Sequence, residues 1–227
     1  MGNITMSAIL FGSISTVADT SELQRQAFNE AFEAHGLGWR WDRDDYRAML
    51  SVSGGQARIA EYAHSLGQTV DDKAVHETKS TMFQENLATS QLSPRAGVVE
   101  SIQGAKSNGW KVALVTTTSR DNISALLGAL APDVQAQDFD VIVDATSVEQ
   151  PKPDKAAYSL ALQTLSEAPG DCVAIEDNVG GLRAAVAAGL ACVAFPNENT
   201  AGLDFDGAER RVDRLDVDEL QHLFHSS

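Results

Sequence analysis

Long apolar runs, groups of cysteine and an excess of basic residues are all missing from this sequence. Only 2 of its 227 residues are cysteine, Cys172 and Cys192, and each lies in an apolar, strand-like run where a free thiol packs as a small hydrophobe. No run of about 18 apolar residues occurs, and the first residues lack the basic and apolar blocks of a signal peptide. We therefore expect a cytoplasmic protein with no structural disulfide and no membrane partner.

Basic side chains are also too few to favour a nucleic-acid partner. The sequence has 17 Lys and Arg against 32 Asp and Glu, a formal net charge of −15 that would repel a nucleic-acid backbone. The 43% hydrophobic and 22% charged content is that of an ordinary globular protein. A chain of 227 residues is long enough for one sizeable core with a smaller inserted domain.

Short apolar strands alternate with helical patterns in most of the chain. The strand candidates are "AILF" from residue 8, "KVALVT" from 111, "FDVIVD" from 139, "CVAIED" from 172 and "ACVAFP" from 191. Between the first two strands only helical patterns occur, in "SELQRQAFNEAFEAHG" and at about 44–50, 56–66 and 71–87. We predict an α/β fold with a doubly wound parallel sheet in residues 7–19 and 93–227, interrupted by an all-helical insertion in residues 20–92.

Candidate site residues follow the strands, because open parallel sheets bind ligands beyond the carboxyl ends of their strands. The hydroxyl cluster from Thr116 to Ser119, Lys152 and the pair Glu176 and Asp177 together suggest a phosphate or sugar-phosphate site. Each signal also has an ordinary interpretation: the hydroxyls as a helix N-cap, and the lysine as a solvated loop residue. The carboxylate pair favours function more strongly, since buried carboxylates are costly without cations.

Several phrases, taken in order, resemble one known family. They are "ADTSELQRQAFNEAF", "GLGWRWDRDDYRAML", "SGGQARI", "PRAGV", "VALVTTTSRDNISALL", "KPDKAAYSLAL" and "AIEDNVGGLRAAVAAGL". The chain is identified by them as similar to the haloacid-dehalogenase-like (HAD) superfamily. Within that superfamily it resembles the β-phosphoglucomutase-like group with a small helical cap, and above all the xylulose-bisphosphate phosphatases of the Calvin cycle.

The resemblance implies a catalytic position that this chain leaves without a carboxylate. In the superfamily the first strand ends in a hydrophobic-Asp-x-Asp-Gly-Thr motif, whose first Asp attacks phosphorus, whose second handles the leaving-group proton, and beside which Mg²⁺ binds. The phrase "FGSIST" aligns with it and places Gly12 at the nucleophile and Ile14 at the acid/base position. Since neither has a reactive atom, we expect no aspartyl-phosphate chemistry and no cofactor.

Other positions of the motif set are retained. The resemblance implies that Thr116, Thr117 and Lys152 bind phosphate and that Glu176 and Asp177 belong to the metal-side motif. Without the two motif aspartates, most of the reason for Mg²⁺ disappears. Lys152 then either keeps a phosphate or forms a simple ion pair with Asp177, and the sequence leaves both open.

The insertion has also lost cations that the resemblance associates with the rest of the substrate. Candidate basic residues that remain are Arg25, Arg58 and Arg95. We therefore expect a sugar-phosphate phosphatase homologue that is a pseudoenzyme, with a small phosphorylated metabolite, inorganic phosphate or a protein as its partner. The alternative is an active HAD-like hydrolase of unknown substrate that uses a non-standard route, so the sequence leaves enzymatic activity open.

Overall fold

The computed structural model describes residues 6–50 and 54–223, and its centre is a parallel β-sheet. The strands are β1 (Ala8–Phe11), β2 (Lys111–Val115), β3 (Val141–Val143), β4 (Cys172–Glu176), β5 (Ala191–Ala194) and β6 (Arg210–Arg211). They lie in the order β3-β2-β1-β4-β5-β6, and every neighbouring pair is parallel. The strand order reverses on either side of β1, so the ligand crevice of such a sheet is expected at the ends of β1 and β4.

Helices cover the sheet and fill the segment between β1 and β2. They are α1 (Ile14–Val17), α2 (Ser21–Ala34), α3 (Arg43–Met49), α4 (Gly55–Ser65), α5 (Asp72–Thr89), α6 (Val98–Ser107), α7 (Arg120–Leu130), α8 (Ala156–Leu165), α9 (Val179–Ala187) and α10 (Val217–His222). Two short 3-10 turns span Ala136–Asp138 and Pro169–Asp171. None of the described helices is both long enough and apolar enough to cross a membrane.

Two hydrophobic clusters lie on opposite faces of the sheet. In β1 the side chains alternate between them: Ile9 and Phe11 join one cluster, and Ala8 and Leu10 join the other. All four are fully buried. A strand that is apolar on both faces is what a helix-covered parallel sheet requires, and the predicted α/β fold class is confirmed.

A third cluster is built mainly from aromatic residues of α2–α4 and the segment between α2 and α3. The ring centroids of Phe28 and Trp41 are 4.9 Å apart, and those of Phe32 and Trp41 are 4.6 Å apart. We call α2–α5 the insertion helices. The boundaries 20–92 and 93–227 remain a prediction, and their stretches 51–53 and 224–227 lie outside the described residues.

The structure departs from the sequence expectation mainly in the number of strands. Five were predicted, and the described residues form six. The unpredicted strand is β6, which consists of two exposed, charged residues, Arg210 and Arg211. Such a pair has no apolar alternation from which a strand could be predicted. The first helix of the insertion ends at Ala34 with His35 as its C-cap, and Gly36 follows with a φ of +64°, the left-handed conformation in which glycine is favoured just after a helix.

Candidate functional site

A cavity of about 700 Å³ lies between the carboxyl ends of the strands and the insertion helices. From the sheet edge it is lined by residues that include Gly12, Ser13, Ile14, Thr116, Thr117, Lys152 and Asp177. From the insertion helices it is lined by residues that include Gln24, Phe28, Arg58, His76 and Lys79. The structure therefore brings most of the sequence-predicted site residues to one place.

Because Gly12 has no side chain, the side chain of Glu176 lies in the space next to it. Glu176 is the last residue of β4 and is fully buried. A Cβ atom on Gly12 would lie 2.1 Å from Glu176 Oε1 and 2.3 Å from the Tyr158 hydroxyl oxygen. A Cβ on Gly181, in α9, would lie 2.1 Å from the same carboxylate. Two glycines thus form a socket for one carboxylate, which we call the Glu176 socket.

Lys152 holds the carboxylate in that socket. Its Nζ donates to Glu176 Oε1 at 2.7 Å, to the Val115 carbonyl at 2.7 Å and to the Gly12 carbonyl, so all three ammonium donors are in use. The Tyr158 hydroxyl donates to Glu176 Oε1 at 2.7 Å. Burial raises the pKa of Glu176 above its ordinary value, and the charge of Lys152 opposes that shift.

This geometry corrects the ion pair that the sequence left open. Lys152 is buried and paired with a carboxylate, but the carboxylate is Glu176 and not Asp177. The ordinary interpretation of Lys152 as a solvated loop lysine is wrong, since the side chain is 7% exposed.

Asp177 takes part in a separate hydrogen-bond network. Its Oδ1 accepts from Ser13 Oγ at 2.7 Å and from Asn178 Nδ2 at 3.1 Å, and its Oδ2 accepts from Asn197 Nδ2 at 2.8 Å. Ser13 Oγ in turn accepts from the backbone N–H groups of Ser15 and Thr16, at 3.0 and 3.2 Å. The hydroxyl proton of Ser13 is therefore donated to Asp177, and both lone pairs are occupied by the N-cap of α1.

These residues do not fit a magnesium ion. Mg²⁺ requires a near-octahedral shell of oxygen ligands that includes carboxylates. Gly12 and Ile14 have no side-chain oxygen, Glu176 is held by Lys152 in the socket, and both Asp177 oxygens already accept hydrogen bonds. Nowhere in residues 6–50 and 54–223 do three or more His, Cys, Asp or Glu side chains form a group that could hold a metal.

In the turn after β2, some hydroxyl groups stabilise the backbone and others are accessible to a ligand. Ser119 caps α7 by accepting from the Asn122 N–H at 3.3 Å, as the ordinary interpretation predicts. Thr116 Oγ1 accepts from the Thr118 N–H at 3.2 Å. Thr117 also lines the cavity, and neither its hydroxyl nor its amide forms a hydrogen bond with any residue that the structure describes. Thr117 thus offers two hydrogen-bond donors to a ligand.

Of the three predicted arginines, only Arg58 lines the cavity. Arg25 pairs with Glu22 and donates to the Trp41 carbonyl at 2.7 Å. Arg95 donates to the carbonyls of Phe195 and Pro196 at 2.7 and 2.6 Å. Both guanidinium groups therefore serve packing between backbone segments.

The contacts of Arg58 include two aromatic rings and the backbone. Its guanidinium carbon lies 5.8 Å from the Phe28 ring centroid and 5.5 Å from that of Tyr46, and its Nε donates to the Met49 carbonyl at 3.2 Å. It is 8% exposed. Arg58 thus places a buried positive charge at the insertion end of the cavity.

Lys79 was not predicted as a site residue, yet it is 4% exposed and lines the cavity. Its Nζ donates to Gln24 Oε1 and lies 4.8 Å from the Phe28 ring centroid. No carboxylate among the described residues pairs with it. Burial, assisted by the charge of Arg58, lowers the pKa of Lys79 to about 7. The available signal was helical periodicity: Lys79 lies on the same face as Val75 and Phe83, four residues away on either side.

His76 lies one turn before Lys79 and was missed as well. Burial lowers the pKa of His76 to about 4, and the charges of Lys79 and Arg58 act in the same direction. The imidazole is therefore neutral at pH 7. The insertion end of the cavity thus contains two basic side chains and one neutral histidine.

Comparison with known proteins identifies the family to which the chain belongs. Residues 6–189 match the model of the haloacid dehalogenase-like hydrolases. The chain belongs to the haloacid dehalogenase-like hydrolase family. It is 39% identical to protein CbbY of Rhodobacter capsulatus over 219 residues, which cover 95% of this chain and 96% of that protein. The resemblance predicted from the sequence phrases is confirmed.

Solved structures agree with this assignment. CbbY from Rhodobacter sphaeroides in complex with phosphate is 38% identical, with a TM-score of 0.85, and the match covers 92% of this chain and 94% of that one. The same scores hold for a mutant of that protein in complex with xylulose-(1,5)bisphosphate. β-Phosphoglucomutase from Clostridium difficile is 21% identical, with a TM-score of 0.78 and 97% coverage of both chains, and that likeness shows the fold alone.

Proposed function

We propose that this member of the family binds a small phosphorylated metabolite or inorganic phosphate in the cavity and does not transfer the phosphoryl group. The observation that carries the proposal is the composition of the cavity. Free donors at Thr117 lie at the sheet edge and buried cations, Lys79 and Arg58, at the insertion helices, whereas positions 12 and 14 carry no carboxylate.

The chemistry of the sheet edge supports binding without turnover. Covalent catalysis needs a nucleophilic atom at the attack position, and Gly12 supplies none. General acid–base catalysis contributes about 10²- to 10⁴-fold, and Ile14 supplies no proton donor or acceptor. The nearest carboxylate, Glu176, is held in its socket by Lys152 and Tyr158.

The size and polarity of the cavity support a small anionic ligand. Its volume of about 700 Å³ lies within the range of small-molecule sites. Relatives bind phosphate and xylulose-(1,5)bisphosphate, which supports a phosphorylated ligand here. We propose that the core, residues 7–19 and 93–227, supplies the donors at one end, and that the insertion, residues 20–92, supplies the cations at the other.

The ligand is tested by thermal shift with inorganic phosphate and a series of sugar phosphates. A ligand at about 100 times its Kd stabilises the folded state by roughly 2.7 kcal/mol. We expect the stabilisation to fall in Lys79→Met and Thr117→Val, and to persist in Lys73→Met, which removes an exposed lysine of the same helix. If millimolar ligand shifts none of these proteins, the phosphate proposal fails and a protein partner becomes the better account.

A second candidate function is hydrolysis by a non-standard route, because the Ser13 hydroxyl donates to the Asp177 carboxylate at 2.7 Å. A hydroxyl group in contact with a carboxylate provides the nucleophile and the general base that covalent catalysis requires. Such a route needs a free lone pair on Ser13 Oγ, and both accept backbone hydrogen bonds. The candidate predicts a phosphorylated Ser13 in protein quenched during incubation with a sugar phosphate, and loss of phosphate release in Ser13→Ala.

A further inference from the structure

Lys79 differs from the other lysines in the described chain whose contacts have been given. Lys152 is buried with a carboxylate partner, and Lys73 is exposed on the same helix as Lys79 and lies 3.9 Å from Glu77. Lys79 is buried, lines the cavity and has the amide oxygen of Gln24 as its hydrogen-bond acceptor. An amine in this setting has access to small molecules without a neutralising carboxylate.

The surroundings of Lys79 shift its amine toward the neutral form, so that the charged and the neutral forms coexist near pH 7. The charged and titratable groups that face it are Arg58 of α4 and His76 of α5, and the remaining neighbours include the rings of Phe28 and Phe83. Desolvation beside another cation is one way in which proteins make a lysine nucleophilic. With a pKa of about 7, a large fraction of the amine is free base at neutral pH. An ordinary lysine, with a pKa of about 10.4, is almost entirely charged at the same pH.

We propose that Lys79 is a carbonyl-reactive amine, which forms an imine with small aldehydes or ketones that enter the cavity. The inference rests on the proposed small-molecule cavity but not on recognition of phosphate. It assigns to the insertion end a covalent chemistry that the sheet edge, with no reactive atom at positions 12 and 14, does not supply.

The step balances without an oxidant, reductant or metal. The lone pair of the neutral Nζ forms a bond to the carbonyl carbon, and the carbonyl π electrons move to oxygen. A proton passes from nitrogen to that oxygen and gives a carbinolamine. The carbon–oxygen bond then breaks, the oxygen leaves as water with a second proton from nitrogen, and a carbon–nitrogen double bond remains. The reaction is reversible, so the amine returns when water adds.

The experiment traps the imine in the intact protein. The wild-type chain is incubated at pH 7 with glyceraldehyde, or with glyceraldehyde 3-phosphate, in the presence of cyanoborohydride, and the modified residues are mapped by mass spectrometry. We expect a single adduct on Lys79 at low occupancy, formed at least about tenfold faster than adducts on other lysines because its free-amine fraction is larger. Lys79→Arg keeps the charge and should lose the adduct, whereas Lys73→Arg should keep it.

The two aldehydes separate this inference from the proposed phosphate binding. An adduct that forms faster on Lys79 than on Lys73, with either aldehyde, supports the inference, and a faster reaction with the phosphorylated aldehyde adds recognition of phosphate. Labelling of Lys79 that is no faster than labelling of Lys73 overturns it. A phosphate-induced thermal shift would still stand in that case, so the failure of one proposal is distinguishable from the failure of the other.

Discussion

Gly12 decides which side chain occupies the centre of the sheet edge. With no Cβ at this position, the Glu176 carboxylate and the Tyr158 hydroxyl lie in the space that any other residue would need. Gly12→Ala should therefore destabilise the protein by about 1–3 kcal/mol, the usual cost of overpacking. The measurement is urea denaturation.

The matched control is Gly128→Ala, in the last turn of α7. A Cβ there meets no atom within 4 Å, and alanine is favoured over glycine in a helix by up to about 1 kcal/mol. We expect that variant to be as stable as the parent or more so. Equal effects of the two substitutions would show that the Glu176 socket is not a close fit.

Removing only one partner of the buried pair Lys152 and Glu176 should lower the unfolding free energy strongly. Lys152→Met leaves the carboxylate of Glu176 buried with only the Tyr158 hydroxyl and Asn178 as partners, so we expect a loss of about 3–5 kcal/mol of unfolding free energy. The double variant Lys152→Met/Glu176→Gln should recover part of it. Lys73→Met, at an exposed ion pair, should change stability by about 0.5 kcal/mol or less. A loss of that small size in Lys152→Met would contradict the pairing.

The lowered pKa of Lys79 predicts a pH dependence of stability. The folded-state pKa of about 7 lies below the ordinary value of 10.5, so between these values the unfolded chain binds more protons than the folded protein. Stability due to this group therefore rises as pH increases from about 7 to 10.5 and is lost as pH falls through that window. Unfolding free energies of the wild type and Lys79→Met should converge or cross in it; a constant difference would mean that Lys79 is not desolvated.

The residues of the site were only partly predictable from the sequence. Position after a strand was enough to bring Thr117, Lys152 and Asp177 to the cavity. It could not show that the Glu176 side chain lies in the space beside Gly12, because the direction of this last side chain of β4 depends on its packing against Gly181 of α9. Lys79 was predictable in principle from its helical face, but it lies in the middle of a helix, far from the strand ends at which ligand-binding residues are expected.

At the scale of elements, the segment after β5 connects the sheet edge to the insertion helices. Arg43 of α3 pairs with Glu198 at 2.6 Å, and Arg47 Nη2 donates to the Glu198 carbonyl at 3.1 Å. The neighbouring Asn197 donates to Asp177 and accepts from the N–H groups of Asn199 and Thr200. One buried amide thus shapes the loop and satisfies a carboxylate.

Asn197→Ala should therefore destabilise the protein and loosen the loop. It leaves one Asp177 oxygen and two backbone N–H groups without these partners, and an unsatisfied buried polar group costs about 1–3 kcal/mol. We expect a lower unfolding midpoint and faster amide hydrogen exchange at Asn199 and Thr200. Unchanged exchange at both residues would show that the loop does not depend on this side chain.

Most elements were predictable because their patterns are strong. The five predicted strands are short apolar runs, and the insertion helices have regular apolar faces. Their observed ends differ from the predicted ones by one or two residues, since helix ends depend on local caps such as Asp42 before α3 and Asp71 before α5. Strand β6 was not predicted, because it pairs with β5 through backbone contacts that the side chains of Arg210 and Arg211 do not reveal.

At the scale of the whole molecule, an acidic chain encloses basic side chains at its cavity. The formal net charge is −15, yet Arg58, Lys79 and Lys152 all line the cavity. Because Glu176 neutralises Lys152, the positive charge left for a ligand is concentrated at the insertion end. We therefore propose that an anion binds chiefly at that end and that the sheet edge transfers no phosphoryl group.

The most direct test of the central claim is phosphate release from a panel of sugar phosphates, measured with Mg²⁺ for the wild type and for Asp177→Asn. The account predicts that the wild type releases no more phosphate than the variant on any substrate, since Gly12 and Ile14 supply neither nucleophile nor acid. Magnesium-dependent release by the wild type that is lost in Asp177→Asn would contradict the account.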